Sequence, residues 1–248
     1  MRTFGLIGCP LGHSFSARYF AEKFAAEDIS GCEYRLFEIP SVGELPKLLE
    51  QTPGLCGFNV TIPYKEQIIP LLDSLSEGAA EIGAVNCVKI ENGRLCGYNT
   101  DAFGFRNSLE ELLAGERPAA LVLGTGGASK AVRYVLRTLG MECLTVSRRP
   151  GGGDITYGEI ERAVLAGHRL IVNTTPLGTY PATEGCPDIP YGLLGPEHRL
   201  FDLVYNPPLT EFLRRGRERG ARTMNGSRML ADQAEESWRI WNGAAQHY

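Results

Sequence analysis

Residues 119–140, AALVLGTGGASKAVRYVLRTLG, run a short all-apolar strand into a glycine cluster and straight on into a helix with a 3.6-residue apolar period. No other stretch narrows the fold as much. Strand, glycine turn and helix in that order open an α/β unit and give the context of dinucleotide binding. Gly124 at the strand end permits a tight turn, and Gly126 and Gly127 let backbone approach an anion. The helix that follows offers unpaired N–H groups and the positive end of its dipole. Ser129 stands where a third glycine is usual, so the pattern alone fits either a dinucleotide pyrophosphate site or a plain strand-helix turn.

The next strand, ECLTV, separates those two readings. An NAD site places a carboxylate there, about 20 residues on, to bond the ribose 2′-hydroxyl. Here the strand ends in Ser147, Arg148 and Arg149. Two guanidinium groups and a hydroxyl suit a 2′-phosphate, because arginine engages phosphate oxygens in paired, charge-assisted bonds. The cofactor reading is therefore NADP. The bland alternative is a solvated basic loop after a strand.

Alternation of strand and helix extends through the chain. TFGLIG, SARYFAEKFAAED, EYRLFEI, VGELPKLLEQ and GFNVTIPYK read as strand, helix, strand, helix, strand. A helix through Ala80 and Glu81 follows, then AVNCVKI and RLCGYN around Asn92-Gly93, a strong hairpin signal. A mostly parallel sheet with an antiparallel edge is expected. A helix from Ala102 to Gly115 leads to the glycine loop, where a second α/β set begins. The last helix, MLADQAEESWRIW, has no strand after it and is expected to return to the first domain. The fold class is α/β, with two domains.

With a net charge of -4 and a pI near 5.7, the chain lacks the basic surface that nucleic acid or an anionic membrane selects, so a small-molecule substrate is expected. No apolar run approaches the roughly 20 residues that span a bilayer, and MRTFGLIG does not read as a signal peptide, which places the protein in the cytoplasm. The seven cysteines contain no C-x-x-C pair, so neither a disulfide framework nor a metal site is expected, and most read as small core residues.

Ligands of open α/β sheets bind beyond the carboxyl ends of the strands. In the first half those ends carry Ser14 and Ser16, then Asn59, Thr61 and Lys65, then Asn86, and finally Asn99, Thr100 and Asp101. Hydroxyls and amides that both donate and accept suit a small polyhydroxylated ligand. Each has a structural alternative: Ser16 as a helix N-cap, Asn86 as a turn former. Lys65 and Asp101 are the charged exceptions. If they meet, lysine can supply a proton to a ketone oxygen during hydride transfer; otherwise they are surface charges or an ion pair.

The ordered series GCPLGHSFS, GFNVTIPYK, GAVNCV, GYNTDAFGF, VLGTGGASKAV, VSRR, IVNTTPLG, FDLVYNP and MNGSRMLADQA resembles the shikimate dehydrogenase family along essentially the full length. The resemblance implies reversible NADPH-dependent reduction of 3-dehydroshikimate to shikimate, a step of aromatic amino acid biosynthesis. It implies a substrate-binding catalytic domain over 1–100 plus 226–248, a Rossmann-type NADP-binding domain over 101–225, a cleft between them, and a monomer or homodimer. By the same resemblance, Lys65 and Asp101 are the catalytic pair, Ser14 and Ser16 hold the substrate carboxylate, and Asn59, Thr61, Asn86, Tyr205 and Gln233 surround the substrate. Gly124, Gly126, Gly127, Ala128, Ser129, Ser147, Arg148, Arg149, Asn173, Thr174, Thr175, Leu203, Gly226 and Met229 are the cofactor positions.

Four departures stand out. Ala17, Tyr19 and Phe20 replace a usual proline and His-Asn pair after Ser16; Ser147 replaces asparagine; Arg149 replaces threonine; and Cys87 replaces threonine. His13 reads as a loop-packing residue. The rival functions are a quinate or quinate/shikimate dehydrogenase and a non-catalytic dinucleotide-binding regulator.

Overall fold

A computed structural model describes residues 1–12 and 14–243 of the chain; His13 lies outside the described residues. The chain forms two compact units, one from Met1–Thr100 with the chain from Gln233 onward, the other from Asp101–Asp232.

The first unit contains β1 (Arg2–Gly8), α1 (Phe15–Ala26), β2 (Cys32–Glu38), α2 (Leu45–Gln51), β3 (Leu55–Val60), β4 (Ser74–Leu75), α3 (Glu77–Ile82), β5 (Cys87–Glu91) and β6 (Arg94–Tyr98). Its sheet has the order β2-β1-β3-β5-β6-β4. β1 runs parallel to β2 and β3, whereas β5 is antiparallel to both β3 and β6, so the expected mixed sheet is present. Asn92 and Gly93 join β5 to β6 with φ of 52° and 75°, the left-handed pair that matches the strand twist. β4, a two-residue strand parallel to β6, was not visible in the sequence pattern.

The period-2 alternation of β1 supplies both faces of this sheet. Ile7 packs into one core with Leu45, Phe58, Val60 and Ile68, while Phe4 packs into another with Phe20, Ala234, Ile240 and Trp241. The second core is aromatic: Phe4 stacks on Trp241 with ring centres 4.8 Å apart, and Phe20 stacks on Tyr34 at 4.5 Å. Gly57 of β3 lies directly under Trp241, whose indole nitrogen donates to the Val88 carbonyl at 3.0 Å.

The second unit contains α4 (Thr100–Leu113, entered one residue earlier), β7 (Ala120–Leu123), α5 (Gly127–Thr138), β8 (Cys143–Ser147), β9 (Ile155–Thr156), α6 (Arg162–Gly167), β10 (Leu170–Asn173), β11 (Arg199–Asp202), α7 (Glu211–Glu218), β12 (Arg222–Met224) and the start of α8 (Ser227–Trp241). The strand order is β12-β11-β10-β7-β8-β9, with every adjacent pair parallel. From β7 the chain first builds outward through β8 and β9, then returns to build β10, β11 and β12 on the other side. β7 is therefore the point where strand order reverses, and the glycine loop follows it. All four residues of β7 are buried, as its composition requires.

None of the seven cysteines forms a disulfide; Cys87 is buried, and Cys9, Cys32, Cys56 and Cys186 are partly buried against the hydrophobic clusters. Among the described residues, no helix is long and apolar enough to cross a membrane.

Candidate functional site

In the first unit a buried hydrogen-bond network joins the strand ends. Tyr34 of β2 donates its phenol proton to Asn59 Oδ1 at 2.9 Å. Asn59 Nδ2 donates to the Asn86 carbonyl at 3.2 Å and to Ser237 Oγ at 2.8 Å. Ser237 gives its own proton to the Gln233 carbonyl one helical turn back, at 2.9 Å. Thr100 Oγ1, 3.1 Å from Ser237 Oγ, must then be the donor between those two hydroxyls. Asn86 closes the circuit, accepting the Thr100 N–H at 2.6 Å and donating to Thr100 Oγ1 at 3.0 Å. Gln233 Oε1 lies 3.5 Å from Thr100 Oγ1. Burial pushes the Tyr34 phenol well above the ordinary tyrosine range, and a hydrogen bond with Ser16 pulls the other way.

Ser16, Asn59, Asn86 and Gln233 are thus brought together. Their links run through Thr100, which the sequence shows only as one more polar residue at a strand end, and through Tyr34 and Ser237, which sequence reasoning missed. Tyr34 reads as an ordinary strand aromatic and Ser237 as one polar residue in an amphipathic helix, so neither carries a usable signal. Ser14 caps α1, accepting from the Ala17 N–H at 3.4 Å, so the cap is Ser14 and not Ser16. The altered residues after Ser16 prove to be packing groups: Phe20 lies in the aromatic core, and Tyr19 bonds Glu235 of α8. Cys87, fully buried in that same core, also belongs to packing.

Lys65 follows a turn pinned at several points. The Thr61 N–H donates to the Ile7 carbonyl at 2.9 Å, Tyr64 donates its phenol proton to the Ile39 carbonyl at 2.6 Å, and the Lys65 carbonyl accepts from the Val85 N–H at 2.8 Å. The turn that carries the lysine is thus tied to three neighbouring segments. The lysine side chain is half-buried. Asp101 stands in the first turn of α4, where the helix dipole favours a negative charge.

In the second unit the exits of β7, β8, β10 and β11 lie side by side at one sheet edge. Gly124 has φ +111°, and a Cβ there would lie 2.7 Å from Thr174 Oγ1, so only glycine fits. α5 has no side-chain cap at its N-terminus, unlike α1, α3 and α7, and a Cβ on Gly126 would meet no atom within 4 Å. Backbone donors at the start of α5 are therefore approachable by a phosphate, which fits a dinucleotide. Ala128 follows in the first turn, and Ser129 is buried, as a small residue at the third-glycine position should be. Ser147 is buried and donates to the Arg149 carbonyl at 2.5 Å, which shapes the loop; Arg148 and Arg149 are both exposed.

Thr174 Oγ1 donates to the Leu123 carbonyl at 2.7 Å, tying the β10 exit to β7. The Thr175 hydroxyl donates to Asn173 Oδ1 at 2.7 Å, and Asn173 Nδ2 donates to Asp202 Oδ1 at 2.9 Å. The Leu203 N–H donates to the Asn173 carbonyl at 3.0 Å. A Cβ on Gly226 would lie 2.2 Å from the Leu203 carbonyl oxygen, so α8 begins hard against the β11 exit. Met229 is buried one turn further on, and Tyr205 is half-buried in the loop after β11.

Comparison with known proteins gives a consistent picture. Residues 6–88 match the model of the shikimate dehydrogenase substrate binding domain. The NADP(+) shikimate dehydrogenase of Symbiobacterium thermophilum is 38% identical, over 98% of this chain and 89% of the relative. The shikimate 5-dehydrogenase of Thermus thermophilus, solved in complex with NADP(H) and shikimate, superposes with a TM-score of 0.85 at 35% identity, covering 98% of this chain and 94% of that one. The quinate dehydrogenase of Corynebacterium glutamicum, solved in complex with NAD, gives a TM-score of 0.87 at 31% identity, covering 98% and 94%.

Proposed function

The chain belongs to the shikimate dehydrogenase family, and from that premise we propose that it catalyses the reversible NADPH-dependent reduction of 3-dehydroshikimate to shikimate. The observation that carries the reading is the buried circuit of amides and hydroxyls in the first unit. Its members are oriented by one another before any ligand arrives, which is what recognition of a small polyol requires.

In this reading Ser14 and Ser16 take the substrate carboxylate. The Ser14 hydroxyl accepts a backbone N–H at the helix cap, which leaves its proton for an anion. Asn59, whose two amide hydrogens are already engaged, supports the pocket from behind, while Thr61, Asn86, Gln233 and Tyr205 face the substrate. Lys65 gives a proton to the C3 oxygen and takes it back in the reverse direction, with Asp101 orienting the ammonium group.

NADPH, when bound, supplies the hydride. The backbone of Gly124, Gly126, Gly127, Ala128 and Ser129 would hold its pyrophosphate, Ser147, Arg148 and Arg149 its 2′-phosphate, and Asn173, Thr174, Thr175, Leu203, Gly226 and Met229 the rest. The absence of a carboxylate at the end of β8, together with the two arginines, favours NADP over NAD. Seven cysteines without a disulfide suit a reducing compartment, and we place the protein in the cytoplasm on that basis.

The test follows absorbance of NADPH formed from shikimate and NADP⁺, with quinate and NAD⁺ as controls. Turnover of shikimate with NADP⁺ well above the three other combinations is expected. Equal or faster turnover of quinate with NAD⁺ would move the protein to the quinate class, and no turnover of either would leave a dinucleotide-binding regulator.

A further inference from the structure

Asp202 is a carboxylate at the end of β11 with no exposed surface, held by neutral hydrogen-bond donors, and the catalytic reading gives it no work. Its bonds show what it does. Oδ1 accepts from Asn173 Nδ2 at 2.9 Å and from the Val204 N–H at 3.0 Å; Oδ2 accepts from Thr210 Oγ1 at 2.5 Å. Thr210 is also the N-cap of α7, accepting the Leu213 N–H. One side chain therefore ties together the exits of β10 and β11 and the start of α7.

The direction of these bonds matters more than their number. An ionised carboxylate only accepts, so Asn173 must turn its NH₂ toward Asp202 and its carbonyl oxygen away. That oxygen then accepts both the N–H and the hydroxyl of Thr175, at 3.0 and 2.7 Å. With an apolar residue at 202, the Asn173 NH₂ and the Val204 N–H would both lose their acceptor inside the protein, and the Thr175 bonds alone would hold the amide.

We propose that Asp202 is a positioning residue for the cofactor: by fixing the Asn173 amide and the Val204 backbone, it holds Asn173, Thr175 and Leu203 in the geometry that receives NADP(H). The proposal rests on the NADP reading above. Burial raises the carboxyl to about 6, against the three hydrogen bonds that favour its charged form. A group kept at that cost in a buried place is more often orienting its neighbours than packing against them.

The Asn variant separates orientation from charge. Asp202→Asn keeps an oxygen for Asn173 and Val204 and presents an NH₂ to Thr210, whose hydroxyl can accept; Asp202→Ala keeps neither oxygen. NADPH affinity is measured by energy transfer from protein fluorescence to the bound nicotinamide, and shikimate affinity by calorimetry without cofactor. Asp202→Ala is expected to weaken NADPH binding about tenfold, with shikimate binding unchanged; Asp202→Asn is expected to stay within about twofold of wild type for both.

An Ala variant that binds NADPH like wild type overturns the proposal. So does an Asn variant that loses as much as the Ala variant, or a parallel loss of both ligands. If Asp202→Ala does not fold, the Asn variant decides alone: about tenfold weaker NADPH binding in a folded Asp202→Asn refutes the idea. Wild-type protein that fails to bind NADPH refutes the NADP reading instead, a separate outcome.

Discussion

Replacing Gly57 with alanine would drive a methyl carbon into the Trp241 indole. The added Cβ would lie 2.3 Å from Cδ1 and 2.4 Å from Nε1 of that ring, and 2.9 Å from the Val88 carbonyl oxygen. Carbon atoms in contact need about 3.5 Å, so the ring must retreat by roughly an ångström. It has little room, because Trp241 is 4% exposed and stacked on Phe4. Overpacking of this kind costs about 1–3 kcal/mol. Breaking the indole bond to Val88 adds about 1–3 kcal/mol for a buried acceptor left without its partner. Loss of glycine's unfolded-state entropy returns about 0.5–1 kcal/mol. The net expectation is a destabilisation of about 3 kcal/mol, read as a shift in the urea midpoint followed by circular dichroism. A Trp241→Leu background removes both indole atoms but leaves the Val88 carbonyl contact, so there Gly57→Ala should still cost about 1 kcal/mol. The resulting coupling of about 2 kcal/mol is well beyond the usual additivity error of about 0.5 kcal/mol. Additive effects of the two substitutions would show that the indole does not sit on Gly57. The same displacement has a functional reading, since Gln233 and Ser237 lie on the preceding turns of the same helix.

Lys65→Ala is expected to lower turnover by about 10²-fold or more while leaving NADPH affinity nearly intact; near-normal turnover removes the proton-transfer role. Arg148→Ala should weaken NADPH binding with little change for NADH, and equal losses for both would mean that no 2′-phosphate is read there. The Asp202 carboxyl, raised from 3.8 to about 6 in the folded protein, contributes stability that is complete below about pH 4 and lost as pH rises to about 6, about 3 kcal/mol in all. Relative to wild type, Asp202→Asn should therefore gain about that much between about pH 4 and 6.5 in urea titrations. Glu211, lowered to about 2 by Arg214 and Arg215, acts in the opposite sense below pH 4.5 but is common to both proteins and cancels. Parallel pH profiles would show that Asp202 has an ordinary pKa.

The features legible from sequence are those whose cause is local. The apolar strand, Gly124 and the helix after it are neighbours in the chain, and so are Asn92 and Gly93, whose left-handed dihedrals close the hairpin. The paired arginines after β8 could likewise be seen, because a missing carboxylate is visible without coordinates. What escaped depends on distant pairing. Asn59 bonds Tyr34 across 25 residues and Ser237 across 178. Neither partner carries a local signature, since a tyrosine in a strand and a serine in a helix are ordinary in themselves. β4 and β12 escaped for another reason: at two and three residues they are too short to show a period and exist only because a neighbouring strand is there to pair with. Asp202 stands in plain view within FDLVYNP, yet an acid at a strand end reads as a solvent-facing group until its burial is known.

The first unit is assembled from two stretches separated by the whole of the second, and this bears on how the protein emerges from a ribosome. The second unit is continuous from Asp101 to Asp232 and can close as soon as its last strand has left the exit tunnel. The earlier-made sheet must wait, with Phe4 and Phe20 uncovered, until the segment bearing Ala234, Ile240 and Trp241 has been translated. For that interval the nascent chain displays a sticky aromatic surface, so slowed elongation over codons 101–241 should raise aggregation, whereas slowing before Phe4 and Phe20 have left the tunnel should not.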